Sequence, residues 1–131
     1  MAVLERSASM GVIVAAPTAG SAGVVPGCVL ACAEALDATD DEISDALYAA
    51  AAVGLILSTS ACVAGAAGGC QAEVGSAAAM ASAALVQLHG GTPDQALDAA
   101  SITIANLLGL VCDPVGGLVA VSYTHLTLPT T

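Results

Sequence analysis

The fold is decided by one stretch, Thr39-Asp40-Asp41-Glu42-Ile43-Ser44-Asp45-Ala46-Leu47-Tyr48, which runs through the alanines at 49–52 into Val53-Gly54-Leu55-Ile56-Leu57. Thr39 with Glu42 three residues later is a capping-box pattern. The threonine hydroxyl accepts from the backbone N–H of Glu42, and the glutamate reaches back to the N–H of Thr39. The acids at 40–42 also complement the positive end of a helix dipole. Alanine, the best helix former, dominates the middle of the stretch. The spacing predicts a helix from about 40 to 57, with Ile43, Leu47 and Ala51 on one face.

On its N-terminal side, residues 15–23 are Ala-Ala-Pro-Thr-Ala-Gly-Ser-Ala-Gly, a loop of small residues. Pro26 then suits the first turn of a helix ending near Leu36. On the C-terminal side, residues 58–69 are rich in Ser, Gly and Ala and read as a loop. A helix is expected from about Gln71 to Leu88, stopped by Gly90-Gly91. Thr92-Pro93-Asp94-Gln95 starts another, with Thr92 as cap, Pro93 at the first position and Gln95 closing a second box. It should end near Leu108, with Gly109 as terminator. A second Gly/Pro loop covers 110–117, and 118–124 holds a short extended piece. The chain of 131 residues suffices for one domain. The expected class is all-α, a compact bundle of four to five Ala-rich helices joined by Gly-rich loops.

Composition narrows the partners. The chain is 57% hydrophobic without Phe or Trp, so its core is built from Ala, Val, Leu, Ile and Met. Eleven acids face one basic residue, Arg6, for a net charge of −10. That charge repels phosphate backbones and anionic lipid surfaces, so neither nucleic acid nor a membrane surface is an expected partner. No charge occurs from Ala46 to Ala72. Glycines and serines break that stretch, its apolar part from Ala46 to Leu57 is short for a bilayer, and no Lys or Arg flanks it. A core helix buried on most faces is the expectation there. The run Met10 to Ala16 mimics a signal peptide but is short and follows Glu5 and Arg6, which cancel; it reads as mature sequence. Five cysteines without a secretory signal point to a reducing cytoplasm.

Two cysteines stand in unusual settings. Cys70 lies in Gly68-Gly69-Cys70-Gln71-Ala72-Glu73-Val74-Gly75, and Cys112 in Gly109-Leu110-Val111-Cys112-Asp113-Pro114-Val115-Gly116-Gly117. Each sits at an element boundary, among glycines that let the backbone approach a bulky ligand, with an acid close by. The alternative is a pair of structural thiols, and no Cys-x-x-Cys is present. Cys28 and Cys32, one helical turn apart, read as core. Cys62 is either a packed thiol or an extra ligand. Glu73 is either a first-turn acid or a carboxylate facing a site. Thr18, Gly20 and Ser21 form a plain turn or a cradle for a carboxylate. His89 suits a helix C-terminus. With His125 near the end of the chain, no histidine fits a Ser-His-Asp arrangement. The absence of lysine removes both a phosphate-binding P-loop and a Schiff base.

Taken together, four segments resemble the alpha subunit or alpha domain of iron–sulfur-dependent L-serine dehydratase, in its later half. They are Ala15-Ala16-Pro17-Thr18-Ala19-Gly20-Ser21, the Cys70 motif, Gly90-Gly91-Thr92-Pro93, and Asn106 to Val119 around Cys112. The resemblance covers about residues 7–121, so 1–121 reads as a partial alpha domain and 122–131, where the alanines stop, as a tail of doubtful origin. It implies a [4Fe–4S] cluster held by three cysteines, with Cys70 and Cys112 as two of them. The third position holds Tyr123, and a phenol is a poor substitute for a thiolate. It also implies that the Thr18–Ser21 loop holds the carboxylate of L-serine. The open iron would bind the serine hydroxyl as a Lewis acid, a base of which Glu73 is a candidate would take the α-proton, and β-elimination would give pyruvate and ammonia. The implied partners are the beta subunit or beta domain of the same enzyme, in a homo- or hetero-oligomer. Two departures stand out: Val12 replaces an expected Arg, and Ser60 to Ala67 lacks most of the polar groups usual before the Cys70 motif. A non-catalytic metal- or cluster-binding helical protein is the alternative.

Overall fold

A computed structural model gives the structure of residues 2–108. Cys112, Tyr123, the extended piece at 118–124 and the tail from 122 lie outside these described residues. Among them there are six helices and no strand: α1 (Ala2–Ala8), α2 (Val24–Leu36), α3 (Asp40–Ser60), α4 (Gly65–Gly68), α5 (Cys70–Leu88) and α6 (Pro93–Leu107). The expected all-α bundle is present, with four long helices and two short ones.

Both capping boxes close as the sequence requires. Thr39 Oγ1 accepts from Glu42 N at 3.3 Å, while Thr39 N donates to Glu42 Oε2 at 2.8 Å. Thr92 Oγ1 accepts from Gln95 N at 3.3 Å, and Thr92 N donates to Gln95 Oε1 at 2.8 Å. The second box carries Pro93 in the first turn of α6. At the other end of α5, His89 Nδ1 lies 2.8 Å from Leu85 O, and Gly90 takes a left-handed φ of 71° that ends the helix.

The centre of the bundle is α5, which packs against α2, α3, α4 and α6. Its Ala77, Ala79, Ala83 and Ala84 are fully buried, and Met80 and Ala81 nearly so. Side chains this small let the neighbouring helices come close, as at Gly54 of α3, where a methyl group would lie 2.8 Å from Met80 Cε. Of the leucines and isoleucines whose burial is described, none is buried. The core is alanine, valine and one methionine: Val25, Val29 and Ala33 of α2, Ala46, Ala50 and Val53 of α3, and Ala100 of α6 complete it.

Three expectations are corrected. The helix buried on most faces is α5, not the stretch from Ala46. The inward face of α3 is Ala46, Ala50, Val53 and Gly54; Ile43 is half-buried, Leu47 is 44% exposed and Ala51 is exposed. In an alanine-rich helix either side can pack, and the closer approach to α5 goes to the side bearing Ala46, Ala50 and Gly54. The expected loop at 58–69 is partly helical, since α3 runs on to Ser60 and α4 occupies Gly65–Gly68. Helix α3 thus reaches 21 residues, the one described helix long and apolar enough, by length and composition, to cross a membrane. Helix α1 carries no capping signal that the sequence would betray; its Arg6 side chain folds over Gly11.

Candidate functional site

The site is built around the N-terminal end of α5. Gly69 has φ 78° and ψ −179°, a backbone conformation that glycine adopts freely and other residues resist. This turn redirects the chain from α4 into α5, so that Cys70 becomes the first residue of a 19-residue helix. A helix N-terminus stabilises a thiolate through its backbone N–H groups and dipole. Cys70 is half-buried, and none of the four described cysteines is in a disulfide. Cys62 is exposed, and its Sγ donates to Ala64 O at 3.8 Å. It faces the same short helix: a methyl group on Gly68 would lie 4.0 Å from Cys62 Sγ. Cys28 is exposed and Cys32 half-buried, so the expectation that both are core residues does not hold for Cys28.

One turn into α5, Glu73 reaches across two other segments. A methyl group on Gly20 would lie 2.8 Å from Glu73 Oε2, and one on Gly65 would lie 2.7 Å from the same oxygen. The carboxylate thus lies against the small-residue loop on one side and the first residue of α4 on the other. Neither position has room for a side chain while Glu73 stays in place. Glu73 is half-buried and makes no hydrogen bond or ion pair with any described residue. The chain's single basic residue, Arg6, is engaged over Gly11 instead.

The loop itself is held from within. It contains a cis Ala16–Pro17 peptide bond. Ser21 is 2% exposed, and its Oγ lies 3.1 Å from Thr18 Oγ1 and 3.3 Å from Ala16 O. The Ser21 hydroxyl therefore knits the turn together, while Thr18 and Gly20 are half-buried and closer to the surface. A cavity of about 510 Å³ lies on the far part of this loop, lined by Gly20 and Ser21 with Val3, Val24, Pro26 and Leu30. Its walls are apolar, and neither Cys70 nor Glu73 lines it.

The structure thus brings Glu73 against Gly20 of the 18–21 loop, with Cys70 one turn before it on α5, and leaves His89 at the opposite end of α5. Gly65 joins the site without any expectation from the sequence; it lies in a Gly/Ala stretch whose only signal is its composition. Among the described residues no group of three or more His, Cys, Asp or Glu side chains converges to hold a metal ion.

The profile of the family described as serine dehydratase alpha chain matches residues 1–123. The chain belongs to this family. Among curated relatives, the probable L-serine dehydratase alpha chain of Bacillus subtilis is 54% identical over 121 residues, which are 92% of this chain and 40% of that one. The L-serine dehydratase alpha chain of Peptoniphilus asaccharolyticus is 55% identical over 115 residues, 88% of this chain and 39% of the relative. The L-serine dehydratase of Streptomyces coelicolor is 43% identical over 122 residues, 92% of this chain and 27% of its own length. The chain therefore spans well under half the length of these relatives. No solved structure matches it.

The donor set bears on the metal group implied by the family resemblance. Cys70 has the chemistry of a soft cluster ligand at a helix N-terminus. Cys112 has the same chemistry, and Tyr123 stands where the resemblance implies a third thiolate; both lie outside the described residues. Neither Cys70 nor Cys62 belongs to a group of three or more metal-binding side chains among the described residues. Among the described residues, therefore, the donor set does not by itself make up a three-cysteine [4Fe–4S] centre.

Proposed function

We propose that this chain is the later half of the alpha portion of a cytoplasmic L-serine dehydratase, completed by the rest of the alpha chain and by a beta subunit or domain. The observation that carries the reading is the position of Glu73, whose carboxylate lies against Gly20 of the small-residue loop and one turn from Cys70. Two motifs that are separate in the sequence meet there, the 18–21 loop and the Cys70 segment that carries Glu73.

β-Elimination removes the α-proton and the β-hydroxyl of serine as water. The aminoacrylate left behind tautomerises to the imine and hydrolyses to pyruvate and ammonia. In this reading Thr18 and the backbone N–H groups around Gly20 hold the substrate carboxylate, and the buried Ser21 hydroxyl keeps that loop in shape. Glu73 takes the α-proton at its carboxylate oxygen. With no cationic partner among the described residues, its carboxylate is open to a substrate that brings its own ammonium charge. Cys70 and Cys112 are the thiolates present for a [4Fe–4S] cluster; with Tyr123 in the third position, the chain alone holds no intact cluster and turns over no serine.

Anaerobic reconstitution followed by iron and sulfide analysis tests this directly. The expected result is substoichiometric iron for the chain alone, and pyruvate from L-serine once Tyr123→Cys and the missing alpha and beta parts are supplied. A stoichiometric four-iron centre with serine turnover in the unaltered chain alone would overturn the assignment of incompleteness. No pyruvate from the completed enzyme would overturn the dehydratase reading.

A further inference from the structure

The bundle is built with its small side chains inside and its large ones outside. Alanines fill the centre, while Leu30, Leu36, Leu47, Tyr48, Leu55, Ile56, Leu97 and Ile102 are all 44% exposed or more. The exposed set is most continuous on α3. Leu47, Tyr48, Ala51, Ala52, Leu55 and Ile56 recur at the spacing of one helix face, opposite the Ala46, Ala50, Val53 and Gly54 face that packs on α5. The stripe is about 14 Å long at 1.5 Å per residue. Tyr48 is 75% exposed, Leu55 65% and Ile56 51%, and no charged residue occurs in α3 after Asp45. Continuous apolar surface of this kind marks a contact with another surface.

Besides the beta portion, whose adduct in place of the one named below would overturn the proposal, three occupants compete for it. A lipid bilayer is disfavoured because α3 opens with Asp40, Asp41 and Glu42 and no Lys or Arg flanks it. A second copy is disfavoured because each carries a net charge of −10. The third occupant is indicated by length. The matched span is 40% of the Bacillus subtilis alpha chain and 39% of the Peptoniphilus asaccharolyticus one, so more than half of such a chain remains to cover it.

We propose that the outward face of α3 is the seat of the remainder of the alpha chain, which docks on it through an uncharged, apolar surface centred on Tyr48 and Leu55. This rests on the reading of the chain as part of a longer alpha chain. The docked segment buries the leucine and isoleucine layer that the alanine core leaves outside. The α3 face then becomes an internal packing surface of the complete alpha chain.

The experiment is site-specific photocrosslinking in two parts. Benzoylphenylalanine replaces Tyr48, and the chain is co-produced with the segment of the Bacillus subtilis alpha chain that lies outside the matched span. The expected product is a covalent adduct to that segment, mapped by mass spectrometry. Leu55→Glu with Ile56→Glu should weaken the association at least tenfold while leaving the helical circular dichroism of the isolated chain unchanged. Adducts only between two copies, co-sedimentation with phosphatidylcholine vesicles in place of the segment, or no adduct at all would each overturn the proposal. Turnover is scored separately, with Tyr123→Cys in place and the beta portion also supplied: an adduct without pyruvate formation keeps the docking and sinks the dehydratase reading, and pyruvate formation without the adduct does the reverse.

Discussion

Replacing Gly20 or Gly65 by alanine should damage catalysis far more than folding. On Gly20 the new methyl would stand 2.8 Å from Glu73 Oε2 and 3.2 Å from its Cδ; on Gly65 the distances would be 2.7 Å and 2.9 Å. Ordinary contact requires about 3.5 Å, so the carboxylate must retreat by roughly 0.5–1 Å. The fold resists little. Neither glycine has a positive φ, so alanine suits both backbones. The obstructing atoms are the free end of a flexible side chain, and an off-rotamer glutamate costs about 0.5–1.5 kcal/mol. The melting temperature of the chain should fall by no more than a few degrees, roughly what about 1 kcal/mol gives in a domain this size. Catalysis depends on the position of the carboxylate. A misplacement near 1 Å costs about 10²-fold at the extreme, so a loss of about 10- to 100-fold in kcat/KM is expected. Gly27→Ala is the control, since a methyl there meets nothing within 4 Å. The assay is pyruvate formation by the completed enzyme, beside thermal melts of each variant. Full activity in both Gly20→Ala and Gly65→Ala would refute the placement of Glu73 in the site.

The remaining predictions concern the fold and the thiolate. Ala83→Leu forces a large side chain into a fully buried position at the centre of α5, which should cost about 1–3 kcal/mol in urea unfolding. Ala52→Leu, on the exposed face of α3, should change stability by less than about 0.5 kcal/mol. Thr39→Ala removes the α3 cap and should cost about 1 kcal/mol. The Thr39 backbone N–H, and then its hydroxyl, hold the Glu42 carboxyl below its ordinary value of 4.5. That contribution is therefore present above 4.5 and lost as the pH falls through the folded value, so unfolding of Glu42→Gln, which has no carboxyl to protonate, should be less sensitive to acid below pH 4.5 than that of the parent chain. Cys70→Ser should leave the helical signal intact, yet abolish iron retention in the completed enzyme.

What the sequence made legible was local. Each capping box is complete within four residues, so Thr39–Glu42 and Thr92–Gln95 announced α3 and α6 without knowledge of their neighbours. The Gly90-Gly91 stop and the loop at 15–23 were readable for the same reason. What was not legible depended on partners. Alanine packs equally well on either side of a helix, so the choice of the Ala46–Ala50–Val53 face over the Leu47–Ala51 face waited on the geometry of α5. The burial of α5 on most faces was hidden because its alanines look like those of an exposed helix. Short α4 was masked by glycines that normally signal a loop. Glu73 was visible as a lone acid, but its two roles could not be separated until the chain brought Gly20 and Gly65 against it.

The most direct test of the central claim is a carbon-edited NOE spectrum of the isolated chain. Cross-peaks from the Glu73 Hγ protons to the Hα protons of both Gly20 and Gly65 are expected, since the Glu73 carboxyl group lies against both glycines. A Glu73 side chain with cross-peaks only to its own helix would contradict the meeting of the 18–21 loop with the Cys70 segment, and with it the site.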